Sequence, residues 1–226
     1  MIPRKTYSVL IALETATEGC SVAVAAAGTV VERADETPRG HTARLLPMLT
    51  EAMAEADVTP GDVDAVVFGR GPGAFTGVRL AASAAQALCL AWSVPAVGVS
   101  TLAALAYGAH RRTGADRIIA VLDARMDEAY WGRYRSAPNG AGLTLMEEER
   151  VGPPEEVPRG GGDWFGAGRG FAAFPERLPP AALGCDPDAL PLARDLIPPG
   201  AAALQAGEGV DAAAALPLYL RSAVHY

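Results

Sequence analysis

Residues 69–79 read GRGPGAFTGVR and join an apolar run, Ala65–Phe68, to the segment Val78–Trp92, which contains neither glycine nor proline. This order predicts a buried strand, a tight loop and an alanine-rich helix. Four glycines and a proline give the loop backbone conformations that most side chains forbid. The free N–H groups of the helix start suit either a phosphate or a closely packed backbone. Because neither GxxxxGKS/T nor GxGxxG is present, we interpret the loop by itself as a packing device.

The chain before this loop predicts three short strands and a helix. The strands span Ser8–Leu13, Cys20–Ala26 and Thr29–Ala34. The helix is predicted in the region 41–56, where Leu45, Leu49 and Met53 recur every four residues. Strand–strand–strand–helix–strand–helix is the element order of the actin-like ATPase fold.

A second set of elements begins near Ser100 and repeats part of this order. It contains a helix through His110 and strands over Arg117–Leu122 and Glu128–Tyr134. Proline and glycine dominate from about residue 136 to residue 209, which predicts long loops in a reduced second lobe.

We therefore expect an α/β protein of two lobes. The predicted first domain covers residues 1–99 and carries the interaction helices described below. The second covers residues 100–226, and its last part, around Leu216–Leu220, is expected to return as a strand or a packing segment on the first domain.

Composition and charge narrow the function classes. Half of the 226 residues are hydrophobic and a fifth are charged, which is typical of a globular protein. The net charge of −7 argues against a protein that binds nucleic acid alone. The scattered cysteines, Cys20, Cys89 and Cys185, indicate reduced thiols in a cytoplasmic protein. Since no apolar run approaches about 18 residues, no membrane span is predicted.

Six blocks of sequence carry a resemblance to a known family. In chain order they are residues 10–17 (LIALETAT), 20–24 (CSVAV), 41–47 (HTARLLP), 69–79, 98–105 (GVSTLAAL) and 123–132 (DARMDEAYWG). In this order and at these distances they closely resemble the TsaB (YeaZ) family. That family supplies the accessory subunit of the bacterial complex that makes threonylcarbamoyladenosine beside the tRNA anticodon. The resemblance is strong over residues 8–135 and thins to LPLYLR at 216–221.

The resemblance implies a fold and a function. The fold is the actin-like (ASKHA, RNase H-like) one, with two lobes. The function is that of a non-catalytic subunit, which binds and activates the catalytic protein TsaD, together with the ATPase TsaE, for threonylcarbamoylation of the adenosine. TsaD and TsaE are thus the expected partners, tRNA is met only indirectly through the complex, and the subunit alone is expected to form a homodimer.

The family forms its contact with TsaD through the two predicted helices of the first lobe. The alanines of the second helix leave little bulk, so another helix could approach it closely. On this basis seven residues are expected at the partner interface: Leu45, Leu49, Met53, Ala81, Ala85 and Leu88, with Arg79 at its rim.

The sequence predicts no catalytic residue and no metal site. TsaD holds its metal through an H-x-x-x-H pair, whereas His41 is followed four residues on by Leu45. No G-x-S-x-G elbow surrounds a serine. Asp123, Asp127 and Glu128 are interpreted as a polar hairpin end in which Arg125 pairs with one of the carboxylates.

No cofactor is expected, but weak candidates for phosphate contacts exist. They are Thr15 and Thr17 in the turn opened by Glu14, where actin-like ATPases place their first phosphate loop and often carry aspartate, together with Gly71 and Gly73. The second lobe offers a nucleotide only the lone G-x-G at 166–168. Two alternatives therefore stay open: a stand-alone actin-fold ATPase or phosphotransferase, and a self-assembling regulatory homodimer.

Overall fold

The computed structural model describes residues 7–36, 40–137, 142–158 and 162–221. They form two compact units. The first contains the chain up to Thr101 together with Leu192–Pro217, and the second contains Leu102–Pro191 together with the chain from Leu218 onward. The second predicted domain, residues 100–226, is therefore interrupted, because a segment of about 26 residues that includes a helix belongs to the first unit.

The first unit is built around a mixed sheet. Its elements up to the unit boundary are β1 (Leu10–Glu14), β2 (Gly19–Ala26), β3 (Thr29–Glu36), α1 (His41–Glu55), β4 (Ala65–Gly69), α2 (Phe75–Trp92) and β5 (Ala96–Val99). The strand order is β3-β2-β1-β4-β5. β1 pairs antiparallel with β2 and parallel with β4, and β4 pairs parallel with β5. The carboxyl ends of β1 and β4 therefore lie side by side, which places the glycine-rich loop next to the turn after β1.

α1 and α2 share one face of this sheet. Apolar side chains at alternate strand positions, including Ile11, Leu13, Val66 and Phe68, form one core cluster with the inner faces of both helices. Because successive strand residues point to opposite faces, the other face presents residues such as Val67.

A further helix, α5 (Ala193–Gln205), covers this other face. The Ala193 N–H donates to Ser21 Oγ at 2.9 Å. Gly200 packs directly on β4, since a Cβ at this position would lie 2.7 Å from Val67 Cγ1. Helices thus cover both faces of the first sheet.

The second unit contains a second sheet. Its elements are α3 (Thr101–Thr113, whose first residue still belongs to the first unit), β6 (Arg117–Arg125), β7 (Glu128–Ser136), β8 (Leu143–Leu145), β9 (Arg150–Gly152), β10 (Phe165–Ala167), α4 (Gly170–Ala173) and β11 (Cys185–Asp186). The order is β11-β10-β6-β7-β8, and β9 pairs with β7. The proline- and glycine-rich region contributes only the short strands β8 to β11 and the four-residue helix α4 to this unit, which is the smaller of the two.

Several sequence expectations can be compared with these elements. The predicted strands and helices of residues 8–134 are present with bounds shifted by up to about three residues; α2, for example, starts at Phe75 instead of Val78. β5 and α5 were not predicted. Residues Leu216–Leu220 form no strand.

The polar hairpin end between β6 and β7 is confirmed. Asp123 Oδ1 accepts the Arg125 N–H at 2.7 Å, and the Arg125 guanidinium donates to Asp123 Oδ2 at 2.8 Å. Asp123 is thus engaged by Arg125, as the interpretation of an ordinary hairpin end requires.

Candidate functional site

Hydrogen bonds join the glycine-rich loop and the first turn of α2 to the turn after β1 and to the start of α3. The Ala74 N–H, at the N-cap of α2, donates to the Ala16 carbonyl at 2.7 Å. The Thr15 hydroxyl donates to the Gly77 carbonyl at 2.8 Å. The Thr101 N–H donates to the Gly71 carbonyl at 2.9 Å. These bonds fix the start of α2 against the end of β1.

Two glycines, one in the loop and one in the first turn of α2, are needed because neighbouring backbone occupies the space that a side chain would fill. A Cβ on Gly73 would lie 2.3 Å from the Ala16 carbonyl oxygen, and one on Gly77 would lie 2.1 Å from the Thr15 carbonyl oxygen. Neither neighbour is a flexible side-chain end that could move aside. The loop is therefore a packing device, as its sequence alone suggested.

The residues that the sequence offered as weak phosphate candidates take part in internal contacts of this kind. The Thr15 hydroxyl and the Gly71 carbonyl are used in the bonds above, and Gly73 lies against Ala16. Thr17 Oγ1 accepts the Gly19 N–H at 3.3 Å within its own turn. In the second unit, Gly166 and Gly168 of the G-x-G pack against Phe171 and Val121. Each of these groups serves a contact within its own unit.

A Gly77→Ala substitution is expected to lower the free energy of unfolding by about 2 to 3 kcal/mol, because the added methyl must push α2 away from the Thr15 carbonyl. Denaturant unfolding followed by circular dichroism measures this change. Gly61→Ala is the matched control, since the nearest atom to its Cβ lies at 3.9 Å. Equal stabilities of the two variants would contradict the close packing.

The side chain of Glu14 also binds the turn after β1 and the start of α3, from the interior of the first unit. Its side chain is fully buried. Its Oε1 accepts the Ala16 N–H at 2.7 Å, and its Oε2 accepts the Thr101 hydroxyl at 3.2 Å. Burial raises the pKa of Glu14 to about 7, although these hydrogen bonds act to lower it. Gly69 leaves the space for the carboxyl, because a Cβ there would lie 2.1 Å from Glu14 Oε2.

The structure corrects the choice of helix face in the predicted interface. Five of its side chains lie in the core of the first unit: Leu45, Leu49, Met53, Ala81 and Ala85. The four-residue spacing of an apolar stripe marks the side of a helix that faces its own sheet, and a buried side chain offers a partner no surface. Leu88 is half-buried and Arg79 is exposed.

The outward faces of α1 and α2 carry other residues. We define the outer helix face as the following exposed positions: Ala43, Leu46, Pro47, Thr50 and Ala54 of α1 and Phe75, Thr76, Arg79, Ser83, Ala87, Leu90 and Ala91 of α2. Leu46 is 53% exposed and Leu90 is 77% exposed. Most of the remaining members are small, which allows close approach of another helix. The sequence signal for Leu46 and Leu90 was their position outside the core stripe.

Charge is sparse on the α2 part of this face. Arg79 is the single charged residue of the eighteen in α2, and its guanidinium lies 3.5 Å from the centroid of the exposed Phe75 ring. The charges of α1 are directed to the sheet edge, where Arg44 pairs with Asp35 at 2.6 Å and Glu51 pairs with Arg33 at 3.5 Å. The outer helix face is thus largely uncharged on α2.

No cluster of metal ligands and no helix that could span a membrane occurs among the described residues. No three His, Cys, Asp or Glu side chains among them come together as a metal site. His41, at the start of α1, has a buried Nε2 without a hydrogen-bond partner in the described part of the chain. None of the helices in the described ranges combines the length and the apolar character that crossing a bilayer requires.

Comparison with known proteins identifies the class to which this fold belongs. The family model of TsaD, tRNA N6-adenosine threonylcarbamoyltransferase, matches residues 28–149. The fold is the actin-like, RNase H-like α/β fold with a reduced second lobe.

Relatives that align with nearly the whole chain show to which family within this class it belongs. The tRNA threonylcarbamoyladenosine biosynthesis protein TsaB of Escherichia coli is 38% identical over 95% of this chain and 95% of its own length. The structure of YeaZ from Pseudomonas aeruginosa is 46% identical, with a TM-score of 0.89, and covers 94% of this chain and 100% of its own. A second structure from that organism, described as similar to peptidase YeaZ, has the same identity and TM-score and covers 95% of this chain and 100% of its own. The chain belongs to the TsaB (YeaZ) family.

Proposed function

We propose that this protein is a non-catalytic, cytoplasmic subunit that binds TsaD through the outer helix face and, with TsaE, supports threonylcarbamoylation of tRNA adenosine. The observation that carries this proposal is a helix surface with exposed leucines, largely uncharged on α2, on a member of the TsaB family. Exposed Leu46 and Leu90 are large enough to act as anchors in a partner's grooves.

The likeness to the TsaD model supports the geometry of such a pair. The matched residues 28–149 include both α1 and α2. Two proteins with the same fold can bring equivalent faces together around a pseudo-twofold axis, as identical subunits do around an exact one. The same reasoning allows two copies of this chain to pair through the same face when TsaD is absent, so homodimer and heterodimer would compete.

The chemical contribution of this chain would be a shift in the conformational populations of TsaD. A subunit that binds the competent conformation of an enzyme more tightly raises its population without touching the reacting atoms. In the described part of the chain, the polar groups beside the glycine-rich loop are engaged in internal bonds. They hold α2 in place, and α2 carries part of the outer helix face that would bind TsaD. TsaD would then hold the tRNA, as the net charge of −7 favours.

Calorimetric titration tests this proposal. We expect TsaD from the same source to bind this chain with a one-to-one stoichiometry and a dissociation constant in the micromolar range or below, about −8 kcal/mol or stronger. The companion experiment titrates Mg-ATP into this chain alone. We expect no heat of binding at Mg-ATP concentrations up to about 1 mM. Tight Mg-ATP binding without TsaD binding would instead favour a stand-alone ATPase.

A further inference from the structure

A buried carboxyl without a cationic partner lies near the start of α2, to which Ala16 links it. Glu14 is fully buried at the end of β1. It accepts hydrogen bonds from the Ala16 N–H, the Thr101 hydroxyl and the Thr15 N–H, and no ion pair among the described residues includes it. A carboxyl in such a place stabilises the fold less than an uncharged side chain of equal size would. Its role is therefore better explained by the backbone segments that its hydrogen bonds hold in place.

The hydrogen bonds lead directly from Glu14 to the start of α2. Glu14 fixes the N–H of Ala16, and the carbonyl of the same residue accepts the N–H of Ala74, the N-cap of α2. Val78 N–H closes the first turn on the Ala74 carbonyl at 3.0 Å. The first turn exposes Phe75, with Arg79 stacked on its ring.

Gly69 shows that the space is built for this side chain. The last residue of β4 could carry no Cβ beside the Glu14 carboxyl, because the methyl would lie 2.1 Å from Oε2 and 2.6 Å from Cδ. Both atoms belong to a fully buried side chain. Three segments, the turn after β1, the end of β4 and the start of α3, therefore meet at one carboxyl.

We propose that Glu14 is a positioning residue for the partner-facing N-terminal turn of α2. Its carboxyl fixes Ala16, Ala16 fixes Ala74, and the first turn then presents Phe75 and Arg79 in the orientation that TsaD binds. This inference rests on the proposed function. In this proposal a buried residue contributes to partner binding by fixing the orientation of residues on the surface.

Two variants of similar length separate positioning from fold stability. Glu14→Gln keeps an oxygen for the Ala16 N–H and an N–H₂ for the Thr101 hydroxyl, whereas Glu14→Met keeps the length and loses both groups. At pH 7.5 we expect Glu14→Gln to bind TsaD within about threefold of the unchanged protein. Glu14→Met is expected to bind at least about tenfold more weakly, the equivalent of one lost hydrogen bond of about 1.4 kcal/mol.

Leu204→Ala is the control for a general loss of stability. This buried leucine lies in α5, on the opposite face of the sheet from α2. It is expected to lower the unfolding midpoint and to leave the affinity for TsaD unchanged. An equal loss of affinity in Leu204→Ala and Glu14→Met, or no loss in Glu14→Met, would overturn the positioning role.

Hydrogen exchange at the Ala74 amide supplies a readout that does not need the partner. In Glu14→Met this amide is expected to exchange at least about tenfold faster, because its acceptor at Ala16 is no longer held. If the unchanged protein fails to bind TsaD, the proposed function fails and the exchange rate alone decides whether Glu14 positions α2. An unchanged rate at Ala74 would then refute it.

Discussion

Ala87→Arg is expected to abolish binding to TsaD while the free protein stays folded. Ala87 is exposed in the middle of the outer helix face, between Ser83 and Leu90. An arginine there would bring a long, charged side chain into a close helix contact with no partner for its charge. An uncompensated charge buried in an interface costs about 3 to 5 kcal/mol, which corresponds to a loss of affinity of more than about 100-fold.

The design contains two matched controls. Ala87→Ser changes the same position by one small polar group, and Ala202→Arg places the same charge on an exposed position of α5. Both are expected to bind TsaD within about threefold of the unchanged protein in a calorimetric titration. Ala85→Arg is unsuitable, because Ala85 is fully buried and the variant would lose its core before it reported on a partner. Binding by Ala87→Arg at full affinity would place the interface elsewhere.

Glu14→Gln is expected to change how the stability of the protein depends on pH. The pKa of Glu14 is raised from 4.5 to about 7 by burial, so between these values the folded state keeps a proton that the unfolded state releases. Stability therefore falls as pH rises through this window, and the fall is complete above about pH 7. At 1.36 kcal/mol for each unit of pKa, the loss amounts to about 3 kcal/mol.

The measurement is denaturant unfolding of both proteins at several values between pH 4.5 and pH 8. Glutamine has no proton to release, so the difference in free energy of unfolding between Glu14→Gln and the unchanged protein should grow by about 3 kcal/mol in favour of the variant across this range. Other titrating groups cancel in this difference. A difference that stays constant with pH would show that Glu14 ionises in the folded protein as it does in the unfolded chain.

The two variants test separate parts of the same structure. Glu14→Gln gains stability at high pH and keeps its hydrogen bonds, so it should still bind TsaD. Ala87→Arg should keep its stability and lose the partner. Affinity and stability would therefore change independently, as expected where a buried polar group serves function more than fold.

The pattern of the first lobe predicted most of its architecture. The stripe of Leu45, Leu49 and Met53 predicted α1, and the glycines of residues 69–77 predicted a closely packed loop between β4 and α2. The same stripe could not reveal the partner surface, because apolar periodicity reports the side of a helix that faces its own core. The outer helix face became visible only once the sheet was in place.

Other features were hidden for physical reasons. α5 contains Pro198 and Pro199, which ordinarily signal a break, and its segment returns to the first unit from a distant part of the chain. β5 is only four residues long and contains Gly98. The burial of Glu14 depends on Gly69 and Thr101, which come close only through the parallel pairing of β1 and β4 and the start of α3.

The most direct test of partner binding is size-exclusion chromatography with light scattering on this protein, on TsaD, and on their equimolar mixture. We expect the mixture to elute as a one-to-one heterodimer in place of any homodimer that this chain forms alone. The heterodimer should be absent with Ala87→Arg and present with Ala202→Arg. Independent elution of the two unchanged proteins, with or without nucleotide, would contradict the assignment of TsaD as the partner of the outer helix face.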